Sequence, residues 1–289
     1  MNKSRVQFLY AILAFLAAET IQLVVVFCFQ IFYGLVLGIK VAMEQRANGN
    51  TDASSITDRL TDSMSQDMLY FISVAAVLIC GIVFFFWYHY EIRGEMRGSL
   101  SDTFTWKNLI LFTICGISCQ FFISGMMNIV QQYFIKYFED YKNQLESLTG
   151  GNDIVVLSLL LFVAPITEEL IFRGIILHKA ERAIPFIGAN ILQAMLFGIY
   201  HMNVIQGIYA AFLGFILGLV YHKYKTIFAS ILLHVIINIS ALFTQFVPKN
   251  YFVYVVITIV AGTLLFGALI LLLTTKSSVT DKGHLPHEN

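Results

Sequence analysis

Three charged side chains, Glu168, Glu169 and Arg173, stand inside the apolar stretch from Ile154 to Leu177. At the centre of a membrane-spanning helix a charge costs roughly 2.5 to 3.5 kcal/mol, so such residues face a protein interior and have a task there. Glu169 and Arg173 are four apart with the acid first, the favourable order for a helical ion pair. Glu168 is rotated about 100° from its neighbour and has no local partner. One carboxylate is neutralised in its own helix and the other is left to act. Two more segments carry polar groups of the right kind: His201, four after Phe197, and His234 with Asn238, four apart on one helical face. Singly, each has a plain explanation: a histidine bonded to a neighbouring helix, or a structural Glu169–Arg173 pair. Together, polar groups from three apolar segments are costly unless they converge on one site. An unpaired acid is suited to general-base work, and an imidazole and an amide can donate to a developing oxyanion. Glu168, His201 and His234 also make a ligand set that zinc or another divalent metal accepts. The chain has no His-Glu-x-x-His, and Glu168 cannot easily be both ligand and free base, which favours the metal-independent role.

The elements that must position these residues are membrane helices. With 58% hydrophobic residues, 12% charged and a mean hydropathy of +0.75, the chain lies outside the range of soluble domains, where about 25% of residues are charged. A net charge of zero excludes a basic nucleic-acid surface, and no Lys/Arg cluster marks a lipid-headgroup switch. A spanning helix needs about 20 apolar residues. Eight stretches qualify, at 7–39, 68–90, 106–135, 153–178, 184–202, 204–222, 226–246 and 251–274. The expected fold is therefore all-α, a polytopic membrane bundle of about eight helices, with the polar stretches 41–67 and 139–153 as loops and a polar tail after Thr275. One alternate set of connections holds eleven Lys and Arg and the other six, so the richer set, with both termini, is expected in the cytoplasm. The N-terminal apolar run has no small-residue cleavage site and reads as a retained helix.

Depth tests the convergence. Counted at 1.5 Å per residue from the cytoplasmic ends, Glu168 lies roughly 18 Å deep and His234 roughly 12 Å, but His201 comes out roughly 25 Å deep. The fifth span must start deep, tilt, or turn back early. The uncharged connection from His201 to Gly207 allows a turn inside the protein. Gly207, Gly214 and Gly218 supply small notches for close helix packing. Cys28, Cys80, Cys115 and Cys119 lie in apolar segments and read as packing residues. Glu19 reads as a partner in an interhelical hydrogen bond or as a group near the headgroups. His89, His178 and His222 fall at helix ends and read as interfacial.

Glu168-Glu169-x-x-x-Arg173, Phe197-x-x-x-His201 and His234-x-x-x-Asn238, in that order on successive segments, resemble the three motifs of the CPBP family. That family includes CAAX prenyl-protein endopeptidases and bacterial proteins linked to bacteriocin processing and self-immunity. The resemblance covers about residues 150–245 and implies a glutamate-dependent intramembrane endopeptidase of the cell membrane, acting on a peptide or protein substrate that enters from the bilayer or its surface. By position, it implies Glu168 as the base that activates water, with His201 assisting at water or metal. His234 and Asn238 would stabilise the oxyanion, and Glu169 and Arg173 would hold the helix and tune the site. It divides the chain into helices 1–3 with their loops (1–150), a catalytic core (151–248), and a last helix with its tail (249–289). The interior of the predicted spans contains no Asp for an aspartyl dyad. Two rivals stand beside this reading: a catalytically silent immunity or scaffold protein, and a proton-coupled transporter using a buried Glu/His relay. The substrate, the cut site and the oligomeric state are not legible.

Overall fold

The structure, a computed structural model, describes residues 3–48, 66–93, 98–139, 142 and 158–275; most of the expected loops at 41–67 and 139–153 and the tail from 276 lie outside them. All regular structure among the described residues is helical. The helices are α1 (Lys3–Asn48), α2 (Gln66–Glu91), α3 (Trp106–Val130), α4 (a continuous run from Leu159 to Glu181), α5 (Phe186–Tyr200), α6 (Val204–Tyr224), α7 (Ile227–Ala241) and α8 (Tyr251–Thr274). Six of them, all but α4 and α5, lie in segments long and apolar enough to cross a membrane. At 46 residues α1 is about 70 Å long, so the first apolar stretch runs well into what reads as a polar loop.

Most helices bury one stripe, whereas α4 is buried on every side from Leu170 to Ala180. In α2, Ile72, Ala76, Cys80 and Phe84 recur every four residues, and in α3 Leu111, Cys115 and Cys119 do the same. Three of the cysteines thus pack inside, whereas Cys28 is exposed on α1. The opposite faces show Leu, Ile, Val and Phe outward, as a helix in lipid does. Packing falls into two clusters. One joins the first half of α1 (Ala11, Ala14, Phe15, Ala18) with α2, α4 and α5. The other joins α3 with α8 and with Leu213, Ile216, Leu233 and Ile237 of α6 and α7. Both draw on α6 and α7: Ala210, Tyr221 and Ile227 belong to the first.

Polar groups at the helix ends lock one end of the bundle. Glu91 closing α2 accepts from Lys179 at 2.5 Å and Arg182 at 2.9 Å, and Glu181 meets His222 Nδ1 at 2.6 Å. Lys223 Nζ reaches the carbonyls of Leu273 and Thr275, satisfying the C-terminus of α8. Ser4 Oγ donates to the Ala183 carbonyl at 2.7 Å. Of the three histidines expected at interfaces, His89 is exposed and His222 partly so, but His178 is buried beside Glu91.

Two features place the site. First, α4 changes its winding: π-helical turns at Leu159–Val163 and Leu170–Leu177 flank an α-helical segment, Ala164–Glu169. Pro165, at the start of that segment, cannot donate to the preceding turn, and a widened turn beside it accommodates the missing bond. Second, α5 has only 15 residues, about 22 Å, against a hydrocarbon core of about 30 Å. The chain reverses directly after it through Met202 at φ 53°, and Asn203 caps α6 by accepting from Gln206 N at 3.1 Å. The reversal is sharp because Gly198 and Gly207 lie back to back; a Cβ on Gly198 would stand 2.5 Å from the Gly207 carbonyl oxygen.

Candidate active site

Glu169 and Arg173 are both fully buried and form the expected pair, Nη1 to Oε1 at 2.8 Å. Two charges sealed in a protein interior are stable only with further partners. Arg173 Nη2 donates to the Gly214 carbonyl of α6 at 2.9 Å, and the guanidinium lies 4.8 Å from the centre of the Phe197 ring. The same carbonyl accepts from Gln193 Nε2 at 2.8 Å, and Gln193 also bonds Asn190 Oδ1 at 2.7 Å. This buried brace ties α4, α5 and α6 together, and glycine at 214 leaves room for it: a Cβ there would come within 3.1 Å of Ala194 and Phe197.

Glu169 does more than neutralise Arg173. Its Oε1 also accepts from His234 Nδ1 at 2.9 Å. With Nδ1 the donor, the His234 ring turns Nε2 toward Glu168, whose Oε2 lies 3.6 Å away. Two acceptors that close must share a proton or a water. Glu168 and Glu169, adjacent in sequence, therefore grip one imidazole from both sides. This follows from their angular separation on α4: one carboxylate points at Arg173 and the base of the ring, the other at its tip.

His201, in the reversal after α5, lies edge-on to Phe197 at 5.0 Å between ring centres, and His234 faces the same ring at 6.0 Å. Phe197 is thus the shared wall of Arg173, His201 and His234, with Phe172 packed behind it at 4.9 Å. Gln206 Nε2 approaches His201 Nδ1 at 3.0 Å. An amide nitrogen can only donate, so the proton of this imidazole is on Nε2. Asn238, half-buried, lies one turn beyond His234 on α7.

The structure thus joins Glu168, Glu169, Arg173 and His234 by direct polar contacts and places His201 against the Phe197 ring that His234 also faces. Among the described residues no three His, Cys, Asp or Glu side chains are grouped to hold a metal ion. The sequence reading passed over Phe197 as anything but a motif position, and over Gln193, Asn190 and Gln206. Their signal was weak: amides in apolar helices that must bond something buried. It also left the Glu169 to His234 bond unseen, because pairing within a helix is local and this contact spans 65 residues.

Comparison with known proteins agrees with these motifs. Residues 150–240 match the family described as type II CAAX prenyl endopeptidase Rce1-like. The chain is similar to "Putative membrane peptidase YdiL" of Bacillus subtilis (strain 168), at 24% identity over 183 residues, 62% of this chain and 73% of that protein. No solved structure matches the chain. The segment 150–240, which holds Glu168, His201 and His234 on a helical membrane scaffold, is the part of the chain that is similar to the Rce1-like CAAX endopeptidase (CPBP) family.

Proposed function

We propose that the protein is an intramembrane endopeptidase that hydrolyses a peptide bond near the membrane surface. The observation that carries this reading is the His234 ring held between Glu169 Oε1 at 2.9 Å and Glu168 Oε2 at 3.6 Å. Glu168 removes a proton from a water in the gap, and the water oxygen attacks the peptide carbonyl carbon. The proton passes to His234 Nε2, which then donates, with the Asn238 carboxamide, to the oxygen that has become negative. When the carbon–nitrogen bond breaks, the amine leaves with that proton. His201, its proton on Nε2, donates to the attacking water or the substrate carbonyl. Glu169, braced by Arg173, fixes the plane of the His234 ring, so little reorganisation is left for the reacting step. No metal is required in these steps.

The termini are assigned to the cytoplasm, where the Lys- and Arg-rich connections gather. The substrate is a peptide or protein segment reaching the pocket from the bilayer or its surface. The test is comparison of peptides released by wild type and Glu168→Gln in proteoliposomes, read by mass spectrometry. Loss of one carboxylate base should slow cleavage by about a hundredfold or more while the variant inserts normally. Equal cleavage by Glu168→Gln would reject Glu168 as the base, no release by either protein would leave a scaffold role, and pH-driven uptake without cleavage would leave a transporter.

A further inference from the structure

Glu168 stands on a short piece of helix with a widened turn on either side. The α-helical segment Ala164–Glu169 lies between π-helical turns at Leu159–Val163 and Leu170–Leu177, so its rotation about the axis of α4 is not inherited from a long regular helix. Contacts of the segment itself have to set it. On one side Glu169 is fixed by Arg173 and His234. Thr167, two residues earlier and therefore about 200° away around the helix, makes a contact on the opposite side. It is buried, and its hydroxyl enters a notch at Gly81 of α2: a Cβ on that glycine would stand 2.6 Å from Thr167 Oγ1 and 3.6 Å from its Cβ and Cγ2. The same hydroxyl donates to the Val77 carbonyl at 3.4 Å, one turn before Gly81 and 90 positions before Thr167. That carbonyl is open to a second donor because the residue one turn on has no side chain to cover it.

Glu168 lies between these two anchors, about 100° around the helix from each, so together they decide where it points. We propose that Thr167, seated in the Gly81 notch, is a positioning residue for Glu168: the depth at which α2 receives the Thr167 hydroxyl sets how the Glu168 carboxylate stands to His234 Nε2, 3.6 Å away. This rests on Glu168 as the base, and deepens that reading by making α2, outside the matched segment 150–240, part of what builds the site. Anchors on opposite sides of a helix resist its turning. With one of them displaced, the carboxylate leaves its line to the imidazole, and a misplacement of about 1 Å at a reacting group costs up to about a hundredfold in rate.

The experiment compares wild type, Gly81→Ala, Thr167→Ala and the double variant in nanodiscs, on a peptide that wild type cleaves, with rates referred to folded protein. Gly81→Ala puts a methyl where the hydroxyl sits and should lower kcat about tenfold with KM within about twofold. Thr167→Ala removes the hydroxyl and should cost about threefold in kcat. The double variant has room for the methyl again, so it should be faster than Gly81→Ala and within about threefold of wild type. An unchanged kcat in Gly81→Ala, or a double variant no faster than that single one, overturns the proposal. Should Gly81→Ala fail to fold, the double variant decides: cleavage within about threefold of wild type upholds the contact, and anything slower overturns it. A second readout is independent of cleavage: the nitrogen-15 resonances of the His234 ring, assigned by their absence in His234→Gln. They should shift in Glu168→Gln, shift in Gly81→Ala and return in the double variant. Resonances indifferent to Gly81→Ala refute the positioning role even in a protein that cleaves. The full pattern in a protein that cleaves nothing retains the positioning and rejects the peptidase.

Discussion

Arg173 makes the case for side chains acting through one another. It is fully buried, yet it touches Glu169, the Gly214 carbonyl and the Phe197 ring, and through Glu169 it orients His234. Arg173→Met leaves Glu169 as an uncompensated buried charge, with an expected cost of about 3 to 5 kcal/mol in stability, measurable as a lowered midpoint of unfolding in detergent. Arg173→Lys keeps the charge but cannot reach a carboxylate and a carbonyl with a planar fork, so it should retain the fold and lose most activity. Glu168 cannot easily be both a metal ligand and the free base, so incubation with 1,10-phenanthroline should leave cleavage within about twofold of the untreated protein, read as initial rate. At this scale much was legible. Charge in an apolar run marked Glu168, Glu169 and Arg173, and i to i+4 spacing gave the ion pair. What a helical wheel cannot give is the far partner, and so Glu169 was assigned one neighbour where it has two.

Hydropathy recognised the helices but not their winding or their ends. It counted 184–202 as one long span, because a reversal at His201 to Asn203 that carries no charge looks the same as helix on that scale. The structure stops α5 at Tyr200, two residues short of the expected end, and the reversal that follows places His201 against the Phe197 ring. The π-helical turns of α4 were likewise invisible, Pro165 being the only hint. The glycines of α6 were read as packing notches, and Gly207, Gly214 and Gly218 do meet Gly198, Ala194 with Phe197, and Asn190. Gly198 was not singled out, although its place is the tightest against backbone in the α5–α6 reversal. Gly198→Ala should push α5 and α6 away from each other, with a cost of about 1 to 3 kcal/mol. Activity should fall more than stability does, because His201 is three residues away; the paired measurement is unfolding midpoint against initial rate.

Across the whole molecule, the end that gathers Glu91, Lys179, Arg182, Glu181, His222 and Lys225 behaves as a clasp beyond the apolar stretch of α4, which ends at Leu177. Burial alone would raise the Glu181 carboxyl, but its bond to His222 and the nearby Lys225 ammonium outweigh that and hold it below the usual carboxylate range. A carboxyl lowered by folding contributes stability above its unfolded pKa, near 4.3, and loses it as pH falls through the folded value. The acid limb of the stability curve should therefore be shallower in Glu181→Gln than in wild type, measured by unfolding midpoint between about pH 3 and 6, roughly 1.5 units either side of that pKa. Composition alone announced a helical membrane bundle. It could not show that the bundle is built as two packed halves, since which stripe meets which is decided by contacts far apart in sequence.

Among the described residues those two halves share α6 and α7, and His234 of α7 meets Glu168 of α4 there. On the proposed function, a peptide reaching these residues would part the halves, and the resistance it would meet is the strength of a single join, not that of either packed block. Residues buried deep inside each block should leave the speed of admission untouched, whereas small changes where the blocks touch should act like a loosened or tightened hinge pin.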